Sequence, residues 1–130
     1  MGDRISIQFE NKGDPLNNRP PERSVAFFDH WDGREIIDWV HQFNEEVLLK
    51  RIYDQKKFPS FNDPIDRMEP RTVMVAFIAW LFRGPEKASI PTHNFYLGAD
   101  ANDGDNSDNG NVVFVVEQDR GIVTEYTEES

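Results

Sequence analysis

Between Ser24 and Ile52 the hydrophobic pattern changes period, and that change constrains the fold more than any other feature of the chain. Ser24-Val25-Ala26-Phe27-Phe28 is a nearly continuous apolar run, the pattern of a buried strand. From Ile36 onward the apolar residues Ile36, Ile37, Val40, Phe43, Val47, Leu48 and Ile52 fall at three- and four-residue steps, while Asp38, Gln42, Glu45, Glu46, Lys50 and Arg51 fill the other side. A strand therefore runs into an amphipathic helix with one buried stripe. Asp32-Gly33-Arg34-Glu35 fits a capping box, in which Asp32 accepts from the backbone near Glu35 and Glu35 reaches back.

The rest of the chain supplies more strands and one more helix. Arg4 to Glu10 alternates with period two, placing Ile5, Ile7 and Phe9 on one face of a half-buried strand. The near-continuous run at Ser24–Phe28 predicts a more central place in the sheet than this first strand holds. Residues 11–22 collect Asn, Gly, Asp and three prolines without periodicity, which predicts a mobile loop. Phe58 and Phe61 are expected to tuck a connection onto the core. Pro70 suits a first helical turn, and Arg71 to Phe82 reads as a second helix, apolar nearly all round, that Gly84-Pro85 stops. Thr92 to Leu97, Asn111 to Gln118 and Ile122 to Tyr126 read as strands, the last two joined by the turn Asp119-Arg120-Gly121. Residues 98–110 form a second mobile loop and 127–130 an acidic tail. The expectation is one α+β domain over 1–130, in the order ββααβββ. Its two layers are a mainly antiparallel sheet and two helices on one face, the open face needing a reason to stay wet or a second copy to cover it.

A chain of 130 residues can bury enough surface to fold without staples, and it has no cysteine to supply them. That removes disulfides, thiolate metal sites and cysteine nucleophiles, and fits a reducing compartment. With no basic region followed by an apolar run at the start, and with Val73–Phe82 too short to span a bilayer, the expected location is cytoplasmic, with no membrane partner. Residues 1–98 hold 13 Lys and Arg against 15 Asp and Glu, while residues 99–130 hold one Arg against nine Asp and Glu. The acidity belongs to the C-terminal quarter. It repels nucleic-acid phosphates and suits a cation or a basic partner, and imitation of nucleic acid is one variant of that reading.

Two stretches are candidate sites. In Asp29-His30-Trp31-Asp32-Gly33 a strand gives way to a helix N-terminus, where ligands are often bound. In a functional reading His30 carries a proton or holds a metal and is oriented by Asp29, with Trp31, Asp32 and Gly33 completing a ligand site. In a structural reading Asp32 caps, Gly33 eases the turn, Trp31 seals the core and His30 satisfies a backbone group. The second stretch holds Asp103, Asp105, Ser107 and Asn109, with Gly110 after them. From Asp105 these match the first half of a calcium loop, although the bidentate Glu falls on Val116, so either calcium of millimolar affinity or a loop of good turn formers fits. His30, His41 and His93 lack local metal-ligand spacing, and they could hold zinc or iron only by converging with Asp29 or Asp32. No phosphate loop, nucleophile elbow or N-terminal Ser, Thr or Cys is present.

Val25-Ala26-Phe27-Phe28-Asp29-His30-Trp31-Asp32-Gly33 with its helix resembles a motif of small uncharacterised archaeal and phage-associated proteins, in which a strand ends in His-Trp-Asp-Gly or His-Trp-Gly-Gly. The resemblance implies no activity and carries over no catalytic residue. The element order is also similar to half of a layered amidohydrolase fold of the N-terminal-nucleophile type, whose nucleophile is missing here. The leading expectation is a non-catalytic module that associates with itself or with a protein partner. The alternatives are a metal- or His/Asp-dependent hydrolase-like enzyme or ligand-binding domain at Asp29–Asp32, and a calcium-stabilised loop protein.

Overall fold

A computed structural model of the protein describes residues 2–57, 68–83 and 94–129. Six strands, β1 (Ile5–Asn11), β2 (Glu22–Arg23), β3 (Ala26–Asp29), β4 (Phe95–Gly98), β5 (Asn111–Glu117) and β6 (Gly121–Glu128), form one sheet in the order β4-β3-β1-β5-β6, with β2 also on β1. Helices α1 (Glu35–Phe43), α2 (Leu49–Lys57) and α3 (Pro70–Arg83) complete the α+β fold, α1 and α2 running on through a π-helical turn at Asn44–Leu48. The sheet is mixed rather than purely antiparallel, because β1 and β5 pair in parallel from Ser6↔Asn111 to Glu10↔Val115.

β1 holds the middle of the sheet, which corrects the expectation that Ser24–Phe28 would be the more central strand. Its alternating pattern does not mark one wet face. Ile5, Ile7 and Phe9 enter the apolar core, and Ser6 and Gln8 are equally buried on the reverse side. The core lies between the sheet and the helices, around Phe9, whose ring meets Phe43, Phe77 and Phe114 at centroid distances of 6.3, 6.0 and 5.9 Å. Such tilted and edge-on pairs add to the burial of the rings themselves.

The π turn has a sequence cause. Phe43 and Leu48 are both fully buried but lie five residues apart, a step that an α-helix would rotate off its buried stripe. Bonds of the i→i+5 kind bring that fifth residue back under the stripe. The four-residue step from Leu48 to Ile52 then continues it, and Val47 is left half-buried. The same turn aims Asn44 at the β5–β6 connection, where its Oδ1 accepts from Ile122 N at 3.0 Å.

α3 begins at Pro70, as its ring favours, and buries Pro70, Val73, Met74, Phe77 and Leu81. The connection carrying Phe58 and Phe61, the stop at Gly84-Pro85, and Thr92 and His93 lie outside the described residues. Residues 11–22, expected as a loop, contain a 3₁₀ turn at Pro15–Asn17 that Asp14 caps. The expected acidic tail is partly strand, since β6 runs to Glu128.

The reverse face of the sheet is covered by the chain itself, so it needs no second copy. Residues 99–110 fold back over it: Gly104 lies against the Phe28 ring, where an added Cβ would come within 2.6 Å of the ring edge. Phe28 also stacks on Tyr96 at 4.8 Å and an interplanar angle of 2°. This segment, expected to be mobile, is tied down by Asn109 N to Arg4 O at 3.0 Å and Asn106 Nδ2 to Ser6 Oγ at 2.9 Å. Arg23 covers the remainder. It donates to Glu10, Gln8, Glu128 and Tyr126, spanning from β1 to β6 across the row that holds Val113.

Candidate functional site

The β3–α1 junction brings together the acidic pair that the sequence singles out, in an arrangement the capping pattern does not foresee. Asp29 ends β3 and is 1% exposed. Its Oδ1 accepts from the N–H groups of Trp31 at 3.0 Å and Asp32 at 3.2 Å, closing the turn. Asp32 does not cap α1. Arg34 occupies the cap position with no side-chain hydrogen bond, and Asp32 contributes only its backbone oxygen, which accepts from Glu35 N at 3.2 Å. The capping box fails because the Asp32 carboxyl faces Asp29 instead.

Asp29 Oδ2 and Asp32 Oδ2 are both buried without a hydrogen-bond donor. Burial pushes the Asp29 carboxyl up to about 7, and the Asp32 carboxyl beside it adds to the rise, against the lowering effect of the two N–H donors. A proton held between the two carboxyls resolves both orphan oxygens, since neutral acid and carboxylate then donate and accept.

The neighbours of the pair are structural. Gly33 takes a φ of +55° and sits against the Asp3 carboxylate, a place that leaves no room for a side chain. Gly33 N donates to Asp3 O, and Asp3 N to His30 O, both at 2.9 Å, so the turn is clipped to the start of the chain. His30 is half-buried, with its ring edge-on to Trp31 at 4.6 Å. Trp31 is 50% exposed and does not seal the core. Neither of the two best-formed cavities is lined by Asp29, His30 or Asp32. The junction can hold and release a proton.

The oxygen-rich loop uses its carboxylates internally. Asp103 Oδ2 accepts from Ala99 N at 2.9 Å, and Asp105 Oδ1 from Ser107 N and Oγ at 3.0 and 2.7 Å. The Ser107 donors hold the Asp105 carboxyl below its ordinary value, helped by Arg4, whose Nε lies 3.2 Å away. Asn109 acts as a donor, to Asp3 Oδ1 and Arg4 O. Among the described residues no group of three or more His, Asp or Glu side chains converges as a metal site. His41 Nε2 is hydrogen-bonded to Glu125 Oε1 and its ring stands edge-on to Phe114 at 5.9 Å, a role at the margin of the core.

Sequence reasoning missed the polar layer on the reverse face of the sheet. Ser6, Gln8, Ser24, Asn106 and Asn111 are buried there and bonded to one another. Gln8 Nε2 donates to Ser24 O at 2.8 Å, and Asn111 Nδ2 reaches Gln8 and Glu128 at 2.9 Å. Above this layer lies a cavity of about 450 Å³, walled by Arg23, Glu128 and residues 99–102. The signal was present as three polar residues, Ser6, Gln8 and Asn111, in two strands that both proved internal.

No family model, curated protein or solved structure matches the chain. No helix among the described residues is long and apolar enough to cross a membrane.

Proposed function

We propose that the protein is a non-catalytic binding module that associates with a second copy of itself through the outer face of α3. One observation carries this reading: α3 has no charged residue from Thr72 to Phe82, and exposed Val75 is followed at helical spacing by half-buried Ile78, Ala79 and Phe82, of which Ile78 and Phe82 also pack against the core. Val75 is 67% exposed. A contiguous apolar line on the surface of so acidic a chain favours burial against a partner.

A two-fold arrangement suits the charges at the ends of the helix. Glu69 precedes α3 and Arg83 closes it. Antiparallel packing of two α3 helices, the arrangement a two-fold axis gives, sets the Glu69–Arg71 pair of each copy, 3.9 Å apart, beside Arg83 of the other. The acidic C-terminal quarter does not oppose it, since Asp105 and Asp108 pair with Arg4, Glu117 with Arg120 and Glu128 with Arg23.

Sedimentation velocity across a concentration series tests the reading. The wild type is expected to form a dimer, and Val75→Glu to shift it to monomer with an unchanged circular dichroism spectrum. A wild type that stays monomeric at high concentration, or a Val75→Glu dimer as tight as wild type, removes the proposal.

A further inference from the structure

We infer that the cavity on the reverse face of the sheet is a binding site for a small hydroxyl-rich molecule carrying no negative charge, the class of neutral and amino sugars. It lies on the face away from α3 and does not depend on the association proposed above.

The floor of this cavity is built from side chains that a sheet buries only at a cost. Gln8, Ser24, Asn106 and Asn111 are each more than nine-tenths buried, in positions where apolar residues would pack without desolvating amides. The network fixes their orientation. Asn106 spends its Nδ2 on Ser6 Oγ and Ala101 O, at 2.9 and 3.1 Å. Asn106 lines the cavity, and no hydrogen bond from the described residues is given to its Oδ1, which leaves that oxygen as an acceptor. Gln8 Nε2 makes one hydrogen bond, to Ser24 O, leaving its second N–H as a donor. A floor that both donates and accepts is complementary to hydroxyl groups, each of which does the same.

Charge excludes the anionic versions of such a ligand. The one cation in the wall, Arg23, is already engaged by Glu10 and Glu128, which leaves little positive potential for a phosphate or carboxylate. Asp100 and Glu129 stand at the exposed rim, so the cavity mouth is acidic. A neutral polyol is accepted, and an added amine is favoured. The volume of about 450 Å³ suits one or two sugar rings. Gly98 and Gly104 hold residues 99–103 over this face. At both, a side chain would collide with Phe28, so the cover is set by packing rather than by chance placement of a loop.

Titration of the whole chain with glucosamine, glucose and glucose 6-phosphate, followed by amide chemical shifts, tests the site. Expected are shifts at Ala99–Asn102, Asn106 and Asn111, saturating in the millimolar range for glucosamine, more weakly for glucose and not at all for the phosphate. Asn102→Trp blocks the mouth from an exposed position without touching the buried network. It should weaken glucosamine by about tenfold or more while leaving the melting temperature in place. Asn106→Leu keeps the volume but removes the acceptor together with the Nδ2 bonds to Ser6 Oγ and Ala101 O, so it should lose binding and also lower the melting temperature, which separates it from Asn102→Trp. No saturable shift with either sugar, equal binding of the phosphate, or unchanged binding in Asn102→Trp overturns the inference.

Discussion

The carboxyl groups of Asp29 and Asp32 face each other inside the turn that joins β3 to α1, and each keeps one buried oxygen that no donor reaches. Burial of the pair favours the protonated form of Asp29. The Asp29 carboxyl stands at about 7 in the fold against an ordinary 3.8, so between those values the folded chain retains a proton that the unfolded chain releases. Stability present in acid is therefore lost as the pH rises through about 7. Asp29→Asn keeps the acceptor for Trp31 N and Asp32 N and offers Asp32 a permanent donor. It should stabilise the protein by about 2 kcal/mol at pH 8 and by much less at pH 4, read from urea unfolding. Equal effects at the two pH values would show that no proton is shared.

Arg23 holds β2, β1 and β6 together on the reverse face. Arg23→Ala leaves Glu10 and Glu128 without their cation and uncovers the row above Val113. The guanidinium is about a third exposed, which screens the pairs, so a cost of about 1–2 kcal/mol is expected, shrinking at high salt. Hydrogen bonds from Arg23 and Asn111 hold the Glu128 carboxyl below its ordinary value despite partial burial. The stability this gives is present above the ordinary carboxylate range and lost as pH falls through the depressed value, so the cost of Arg23→Ala should fade in acid. A loss independent of both salt and pH would assign Arg23 to packing alone.

Asn44 is the side chain that the π turn delivers to the β5–β6 connection. Asn44→Ala removes the acceptor of Ile122 N, a loss of about 1 kcal/mol. The Ile122 amide should then exchange with solvent faster, while amides in the middle of β5 keep their protection. Uniform loss of protection along β5 would mean that the turn is not the part Asn44 secures.

Calcium should leave the melting temperature unchanged. Asp103 Oδ2 and both Asp105 carboxyl oxygens are committed to Ala99, Ser107 and Arg4, and Asn109 presents its donor side to Asp3 and Arg4. Cation binding would need these contacts broken first. A rise in melting temperature with millimolar calcium that Asp105→Ala abolishes would restore the cation reading.

Periodicity made most elements legible, because it reports which side of an element is buried. The stripe from Ile36 to Ile52, the helix start at Pro70 and the strands at Ile5, Phe27 and Val112 all follow from it. It could not show that Ser6 and Gln8 were also buried, since a polar residue reads as exposed until its partner is known. Those partners, Asn106 and Asn111, lie about a hundred positions away. The junction was half legible. Asp29 and Asp32 stood out as chemistry-bearing, but the capping pattern assigned Asp32 to the helix, whereas burial set it against Asp29. The five-residue step from Phe43 to Leu48 was visible and marked the π turn, a signal that a reading for α-helix alone passes over.

The parallel pairing of β1 with β5 also sets a timetable. The strand at the centre of the sheet ends at Asn11, and its parallel neighbour begins only at Asn111. During synthesis, which proceeds at roughly 5–20 residues per second, β1 spends several seconds with one edge unpaired. Closing so long a loop is slow compared with forming the helices, so α1 and α2 can be present before the sheet has its middle. Ser6 and Gln8, unusual for the interior of a finished sheet, keep that waiting edge from being a fully apolar ribbon.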